Sequence, residues 1–378
     1  MGFLDFLYSI LGFGIKAVVV LLVILVIIAF SVKLLRRSSE TDETEKQLGL
    51  KSIDLKKQRS SRRDFMQKAL KDSVADPKAR KELKKEKHGR KEKESREEQD
   101  YQAQQELIKK AEAEGQFCPQ NLYVLSFKGD TSASSVTNLR HEIDAILDTA
   151  TDRDEVIVNL TSPGGVVNTY GLCSSELKRI RDRGIFLTVC VDNVAASGGY
   201  LMACVASKIV AAPFSYIGSI GVVMQLPNFH RLMQEHKVDF EQITAGKYKR
   251  TVTMFGENTD AAREKMKSEL ETVHRNFKDI VVKFRPQLDI DNIATGEFWL
   301  ANDAKDLGLV DEIATSDEYV EKRIALTKGS ALKIIWKKEK PKTLSERLKK
   351  LLKASCWVKA VRNGMREEMS DNSMNNIK

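Results

Sequence analysis

Short apolar runs alternate with amphipathic helical patterns from residue 122 onward, and this alternation limits the fold more than any other feature. Strands are predicted at residues 122–127 (LYVLSF), 155–162 (EVIVNLTS), 185–192 (IFLTVCVD) and 208–213 (KIVAAP). Helices are predicted at residues 136–150, 168–182, 200–206 and 260–284. Because helices separate these strands, we expect a mainly parallel sheet that helices cover. The pattern therefore predicts an α/β domain over residues 117–327.

The N-terminal region contains a long uncharged apolar stretch. Residues 17–32 (AVVVLLVILVIIAFSV) carry no charge, and extending the stretch back to Phe6 adds only Lys16. A membrane span needs about 20 residues, and a lysine near its end can reach the interface. The apolar region of a cleaved signal peptide is shorter, at about 7–15 residues. We expect residues 1–33 to form a single transmembrane helix.

Two charged segments flank the predicted domain. Between residues 71 and 100, twenty of the thirty residues are Asp, Glu, Lys or Arg, a composition that cannot bury a core. We therefore interpret residues 34–116 as a charged, partly helical stalk. Residues 328–378 form a basic tail in which TLSERLKKLLK (343–353) places leucines on one helical face. This helix is typical either of membrane lipid binding or of docking on protein, and both alternatives stay open.

Composition and missing motifs exclude several classes of function. With 30% charged residues and a mean hydropathy of −0.34, the chain is not a polytopic membrane protein. The net charge of +9 permits an anionic membrane surface as a partner and does not call for nucleic acid. The five cysteines form no CxxC pair, and the histidines show no HExxH spacing. The chain also lacks nucleotide-binding glycine motifs, so we predict no metal and no cofactor.

A first glycine turn, Ser-Pro-Gly-Gly at residues 162–165, ends the second predicted strand. Proline fixes φ, glycine permits positive φ, and a helix is predicted to begin near Asn168. Backbone N–H groups at such a turn can point into a cleft and bind an oxyanion. The alternative is a tight turn without any chemical role.

A second turn, Ala-Ala-Ser-Gly-Gly-Tyr at residues 195–200, places Ser197 between small residues, after a strand and before a helix. That setting exposes Oγ as a nucleophile elbow does, and Gly198 N–H would be a second oxyanion donor. The alternative is an ordinary helix N-cap serine. A nucleophilic serine needs a base, and a lysine with a pKa lowered by burial can serve. Spacing alone does not choose among Lys237, Lys247 and Lys249.

Four motifs in this order resemble the signal peptide peptidase A family of serine peptidases: SPGG, AASGGY, GSIGVV (218–223) and TAGKYK (244–249). The short single-repeat chain, the apolar N-terminus and the charged stalk resemble its SohB branch. The resemblance covers about residues 122–325. It implies a crotonase/ClpP-like fold of superhelical ββα units and a Ser–Lys dyad in place of a triad.

The resemblance also implies a role for each matched residue. Ser197 would be the nucleophile, and Lys249 would be the general base. Ser219 would hold and orient the lysine ammonium. The backbone N–H groups of Gly165 and Gly198 would form the oxyanion hole. Members of the family assemble into ring-like or dome-like particles, which implies a homo-oligomer whose dyads are completed beside a neighbouring subunit.

The expected function is that of a serine endopeptidase anchored in the cell inner membrane, acting on membrane-proximal peptides or proteins such as signal-peptide remnants. A crotonase-type acyl-CoA enzyme and a non-catalytic membrane scaffold are the alternatives. The membrane side stays open. Lys33, Arg36 and Arg37 follow the apolar stretch and favour a cytoplasmic catalytic domain. The family resemblance implies a periplasmic one.

Overall fold

One mixed sheet organises the part of the chain that the computed structural model describes, residues 49–73 and 91–337. Over these residues the strands are β1 (Leu50–Asp54), β2 (Leu122–Lys128), β3 (Glu155–Ser162), β4 (Phe186–Ala196), β5 (Lys208–Ala211), β6 (Tyr216–Gly218), β7 (Phe298–Leu300), β8 (Glu312–Ile313) and β9 (Ala331–Trp336). Their order is β1-β9-β2-β3-β4-β5-β8, and β6 pairs with both β4 and β7. Two pairings, β1 with β9 and β6 with β7, are antiparallel, and the others are parallel. The predicted α/β class with a mainly parallel sheet is confirmed.

The helices of the described residues are α1 (Leu55–Asp72), α2 (Lys91–Ala113), α3 (Val136–Leu147), α4 (Val167–Asp182), α5 (Gly198–Ala203), α6 (His230–Glu235), α7 (Asp260–Phe284), α8 (Ile290–Ile293), α9 (Ala301–Asp306) and α10 (Ser316–Leu326). Four of the predicted helices correspond to α3, α4, α5 and α7. Helix α5 begins at Gly198, two residues before the predicted start. Within residues 49–73 and 91–337, no helix combines the length and the apolar character that a membrane crossing requires. The predicted anchor at residues 1–33 lies outside the described residues.

Both faces of the central strands are buried, as expected for parallel strands between two helical layers. On one face, side chains of β2, β3 and β4 pack with helices α3, α4 and α5 in a large cluster that includes Leu125, Val158 and Val189. On the other face, Ile157 and Cys190 pack in a smaller cluster that includes Tyr319 and Ile324 of α10. Because successive side chains point to opposite faces and both faces are buried, these strands are near-continuous apolar runs in the sequence.

The two strands at one end of the sheet lie in segments that the sequence predicted as stalk and tail. Strand β1 falls within residues 34–116, and β9 falls within residues 328–378. Strand β9 pairs in parallel with β2, where Ala331 lies opposite Leu122, and β1 pairs with the far side of β9. Residues Leu50–Trp336 therefore form one unit. Most of the tail, including the predicted basic helix at residues 343–353, lies outside the described residues.

The parallel pairing of β3, β4 and β6 brings three strand ends to the same edge of the sheet. Ser162 at the end of β3 lies opposite Ala195 of β4, and Ala196 lies opposite Gly218 at the end of β6. Strand β4 continues to Ala196, beyond the predicted end at residue 192, because residues 194–196 pair with β6. Both glycine turns predicted from the sequence follow strands that end at this edge.

Candidate active site

Ser197 occupies a strained turn between β4 and α5. Its backbone has φ 52° and ψ −121°, in a region that residues with a side chain rarely adopt. Two hydrogen bonds hold it there: Ser197 N–H donates to the carbonyl of Gly218 (2.8 Å), and Leu201 N–H donates to the carbonyl of Ser197 (3.0 Å). The Ser197 side chain makes no capping hydrogen bond to α5. Ser197 therefore lacks the side-chain bond of an N-cap serine and lies in a strained strand-to-helix turn, and its role as a nucleophile stays a prediction.

Ser219 follows strand β6 in a similar conformation. Its φ is 51°, and the preceding Gly218 has φ 111°. Ser219 N–H donates to the carbonyl of Glu297 (2.6 Å), and the backbone carbonyl of Ser219 accepts from Gly221 N–H (2.9 Å). Because Ala196 and Gly218 are register partners, Ser197 and Ser219 occupy equivalent positions just past the ends of adjacent strands.

The two glycine turns are in direct contact. Gly164 has φ 85°, and a Cβ placed on it would lie 2.7 Å from the nitrogen of Gly198 and 2.8 Å from Cβ of Ser197. Only glycine permits this approach. The turn that follows Ser162 therefore packs against the turn that carries Ser197.

The amides of Gly165 and Gly198 lie in these turns, and neither donates a hydrogen bond to an acceptor within residues 49–73 and 91–337. Gly165 packs against the Thr131 carbonyl, which accepts from Val166 N–H (2.9 Å) and leaves no space for a Cβ at Gly165. Unpaired amides beside a half-buried serine are what an oxyanion hole requires.

Lys249 is the predicted site residue that the described chain does not join to this group. It is exposed, and the structure gives its side chain no hydrogen bond to Ser197 or Ser219. It lines a groove of about 800 Å³ together with apolar side chains that include Phe240, Ile243 and Met254. The alternative lysines, Lys237 and Lys247, are exposed as well. Ser197, Ser219, Gly165 and Gly198 are thus grouped at one edge of the sheet. The described residues do not provide the dry surroundings expected for Lys249.

Two supporting residues escaped the sequence analysis. Tyr170 of α4 is fully buried, and its hydroxyl lies 2.6 Å from Oγ of Ser162. His274 of α7 places Nε2 3.2 Å from the carbonyl of Ile220, the residue after Ser219. Helical spacing marks Tyr170 as a core position, since Cys173, Leu177 and Ile180 share its buried face, but no local pattern indicates its hydroxyl contacts.

The buried thiols near this edge are poor nucleophiles. Burial raises the pKa of Cys204 to about 12 and that of Cys173 to about 11, so both stay protonated at neutral pH. In the stretches of chain that the structure describes, no group of three or more His, Cys, Asp or Glu side chains is gathered as a metal site. Among these groups, Ser197 is the one whose setting suits nucleophilic attack.

Comparison with known proteins agrees with this geometry. The pattern of peptidase family S49 matches residues 179–329, and that of the peptidase family S49 N-terminal region matches residues 5–177. The chain belongs to peptidase family S49. The family resemblance inferred from the four motifs is confirmed.

Among its relatives, the chain is 55% identical over 215 residues to "Probable protease SohB" of Haemophilus influenzae, covering 57% of this chain and 61% of the relative. It is 55% identical over 202 residues to the protein of the same name from Buchnera aphidicola subsp. Schlechtendalia chinensis, covering 53% of this chain and 66% of the relative. It is 53% identical over 199 residues to that of Buchnera aphidicola subsp. Acyrthosiphon pisum, covering 53% and 59%. The matches thus span less than two thirds of these relatives.

Proposed function

We propose that this chain is a serine endopeptidase with a Ser–Lys dyad, built on a crotonase/ClpP-like superhelical fold. The observation that carries the proposal is the strained, uncapped Ser197 beside the unpaired amides of Gly165 and Gly198. The relatives are called probable proteases, which supports the same reaction. No cofactor is needed, because the nucleophile, the base and the oxyanion donors all come from protein.

The proposed reaction uses these groups in the following order. Ser197 Oγ attacks the carbonyl carbon of a peptide bond while its proton passes to neutral Lys249 Nζ. The carbonyl oxygen becomes an oxyanion that Gly165 and Gly198 N–H stabilise. Collapse breaks the C–N bond, and the leaving amine takes the proton from the Lys249 ammonium. A water molecule, deprotonated by the neutral Lys249 amine, then attacks the acyl-enzyme. As the ester bond breaks, the Lys249 ammonium returns the proton to Ser197 Oγ.

The base is supplied in a homo-oligomer, where Lys249 meets a Ser197 beside a subunit boundary. Three features support this arrangement: Lys249 is exposed within one chain, large apolar side chains around it are also exposed, and the family resemblance implies a ring-like particle. Ile243 is 94% exposed, Tyr248 is 55% exposed and Met224 is 42% exposed. Apolar patches of this kind mark protein interfaces. Burial there would lower the pKa of Lys249 and favour its neutral form.

Residues 1–33 are proposed to anchor this peptidase in the cell inner membrane as a single-pass protein, with the basic helix at residues 343–353 as a second lipid contact. The substrates are then membrane-proximal peptides and proteins, including signal-peptide remnants. Lys33, Arg36 and Arg37 favour the cytoplasmic side, and the family resemblance favours the periplasmic side. Protease accessibility in spheroplasts distinguishes the two orientations.

Hydrolysis of fluorescently labelled casein by the full chain tests the proposal. Ser197→Ala and Lys249→Ala are each expected to abolish cleavage with unchanged circular dichroism. Lys247→Ala, which alters an exposed lysine two residues away, is the matched control and is expected to stay active. Full activity in either of the first two variants would overturn the dyad.

Mixing the two inactive variants tests the subunit boundary. If Lys249 of one chain serves Ser197 of another, mixed assemblies of Ser197→Ala and Lys249→Ala chains regain part of the activity. If both residues act within one chain, no mixture contains a complete site. Absence of recovery in demonstrated mixed assemblies would therefore overturn the shared site.

A further inference from the structure

We propose that Tyr170 is a positioning residue that holds the two predicted oxyanion donors in register. This inference rests on the proposed function, because it concerns the amides of Gly165 and Gly198. Tyr170 of α4 contacts both glycine turns: its hydroxyl contacts the first, and its ring contacts the second. The contact with the second turn is a tertiary contact, because Gly198 is far from Tyr170 in the sequence.

The hydroxyl contacts form a chain of hydrogen bonds whose direction is fixed. Tyr170 donates to the carbonyl of Asp130 (2.7 Å), which uses its only hydroxyl proton. Ser162 Oγ, 2.6 Å away, must therefore donate to the tyrosine oxygen. Gly164 N–H in turn donates to Ser162 Oγ (3.1 Å). The order is Gly164 amide, Ser162 hydroxyl, Tyr170 hydroxyl, Asp130 carbonyl, and each hydroxyl donates once and accepts once.

These hydrogen bonds set the orientation of the first turn. Gly164 has φ 85°, so its amide could rotate away at little steric cost if no partner held it. Its bond to Ser162 fixes the peptide plane between Pro163 and Gly164, which is the plane one residue before the one that carries the Gly165 amide. Burial raises the pKa of the Tyr170 hydroxyl above its usual value, so the proton that orders the chain is retained at neutral and mildly alkaline pH. The Gly165 N–H donates no hydrogen bond within the described residues, so it is available to a ligand beside this ordered turn.

The ring of Tyr170 supports the second turn. A Cβ on Gly198 would lie 2.5 Å from Cγ of Tyr170 and 2.7 Å from its Cβ, so the Gly198 backbone rests directly on the tyrosine. Tyr170 has no exposed surface and shares the buried face of α4 with Cys173, Leu177 and Ile180. A ring packed on all sides cannot shift without moving α4. One rigid side chain therefore links the Gly164 turn to the Gly198 amide.

Tyr170→Phe separates the two contacts, because it keeps the ring and removes the hydroxyl. The full chain in detergent is assayed with an internally quenched peptide built on a casein site that the wild type cleaves. We expect kcat to fall about 10- to 100-fold with KM nearly unchanged, since a small displacement of oxyanion donors weakens the transition state more than the bound substrate. The inhibition constant of the boronic acid analogue of that peptide should rise by the same factor as kcat/KM falls.

Ser174→Ala is the matched control, because Ser174 lies one turn along α4 and donates a buried hydrogen bond to the carbonyl of Leu201 (2.9 Å) in α5. It removes a comparable hydroxyl without touching either glycine turn, and its kcat is expected to stay near that of the wild type. If Tyr170→Phe does not fold, Ser162→Ala breaks the same chain while leaving the ring in place, and it should show the same loss of kcat.

Each remaining outcome has one meaning. Wild-type kcat in a folded Tyr170→Phe chain overturns the positioning role and leaves the proposed function intact. An equal loss in Ser174→Ala, or an unchanged boronate inhibition constant, also overturns it, because the loss would then reflect general loosening. A wild-type chain that hydrolyses no peptide overturns the proposed function itself and this role with it.

Discussion

Ser197 and Ser219 occupy matching places at the ends of two parallel strands, and both have a positive φ angle, 52° and 51°. Each conformation is held by a backbone hydrogen bond from the serine N–H, to Gly218 in one case and to Glu297 in the other. Non-glycine residues adopt this region at a cost of about 1–3 kcal/mol, which the surrounding sheet offsets. Two such residues side by side indicate a site whose geometry is maintained against local strain.

Ser219→Ala tests the second member of this pair. If Ser219 orients the lysine ammonium, its removal lowers kcat about 10- to 100-fold and leaves the fold unchanged. Ser215→Ala is the control, because the Ser215 hydroxyl donates to the carbonyl of Ala212 (2.9 Å) just before β6. The quenched-peptide assay measures both variants. Equal kcat values for Ser219→Ala and the wild type would remove Ser219 from the mechanism.

Gly164→Ala tests the contact between the two glycine turns. A methyl group at this position would meet Gly198 N at 2.7 Å, and the φ of 85° adds strain. We expect loss of peptidase activity and a fall of about 1–3 kcal/mol in the free energy of unfolding. Gly171→Ala, in the interior of α4 with no atom within 4 Å of the added Cβ, should instead stabilise the chain by about 1 kcal/mol.

Urea denaturation compares the two glycine variants directly. Opposite signs of the stability change are the expected result. If both alanines have the same effect, the close packing of the turns does not constrain Gly164.

The helical and strand pattern predicted the central part of this fold, because apolar periodicity reports burial and β2, β3, β4 and β5 are buried on both faces. Strands β6 and β7 have three residues each, and so short a segment carries no periodicity. Strand β1 (LKSID) has only two apolar residues, and β9 (ALKIIW) is apolar but lies beyond the predicted end of the domain at residue 327. Edge pairing depends on the backbone of a distant neighbour, which a local pattern does not contain.

In the site, too, the sequence predicted the features that depend on the local backbone and missed those that depend on distant residues. The glycine turns could be recognised because Pro, Gly and Ser act on the local backbone. The hydroxyl contacts of Tyr170 were not foreseeable, because its acceptor, the Asp130 carbonyl, lies 40 residues away. Lys249 is exposed among the described residues, and its proposed burial against a neighbouring subunit is not something that a local sequence pattern contains.

Glu142 makes the stability of the domain depend on pH. It lies on α3, accepts the N–H of Trp336 (2.8 Å), and burial raises its pKa from 4.5 to about 7. Because the folded chain binds this proton more tightly than the unfolded chain, the stabilisation is full below about pH 4.5 and is lost as pH rises through about 7. Glu142→Gln keeps an acceptor without the charge.

Glu142→Gln should therefore exceed the wild type in unfolding free energy by about 2 kcal/mol near pH 8, and by little near pH 5. Urea unfolding at the two pH values measures the difference. A constant difference at both values would contradict the assignment of this pH dependence to Glu142.

The buried ion pair between Arg323 and Glu155 is expected to dominate stability on the other face of the sheet. Arg323 Nε lies 2.6 Å from Oε2 of Glu155, and the Glu155 side chain has no exposed surface. Arg323→Met would leave an uncompensated buried carboxylate and should cost about 3–5 kcal/mol.

Lys322→Met is the neighbouring control, because Lys322 pairs with Glu312 at 3.5 Å near the surface, and its loss should cost under about 1 kcal/mol. Thermal unfolding compares the two variants. Similar shifts in Tm would show that the buried pair contributes no more than the surface pair.

The separation between Lys249 Nζ and Ser197 Oγ in the assembled particle tests the proposed dyad most directly. A cryo-electron microscopy map of the full chain in its oligomeric form provides this distance. The account predicts a Lys249 ammonium within about 3 Å of a Ser197 hydroxyl, from the same or a neighbouring subunit. A particle in which every Lys249 faces solvent and no amine lies near Ser197 would contradict it.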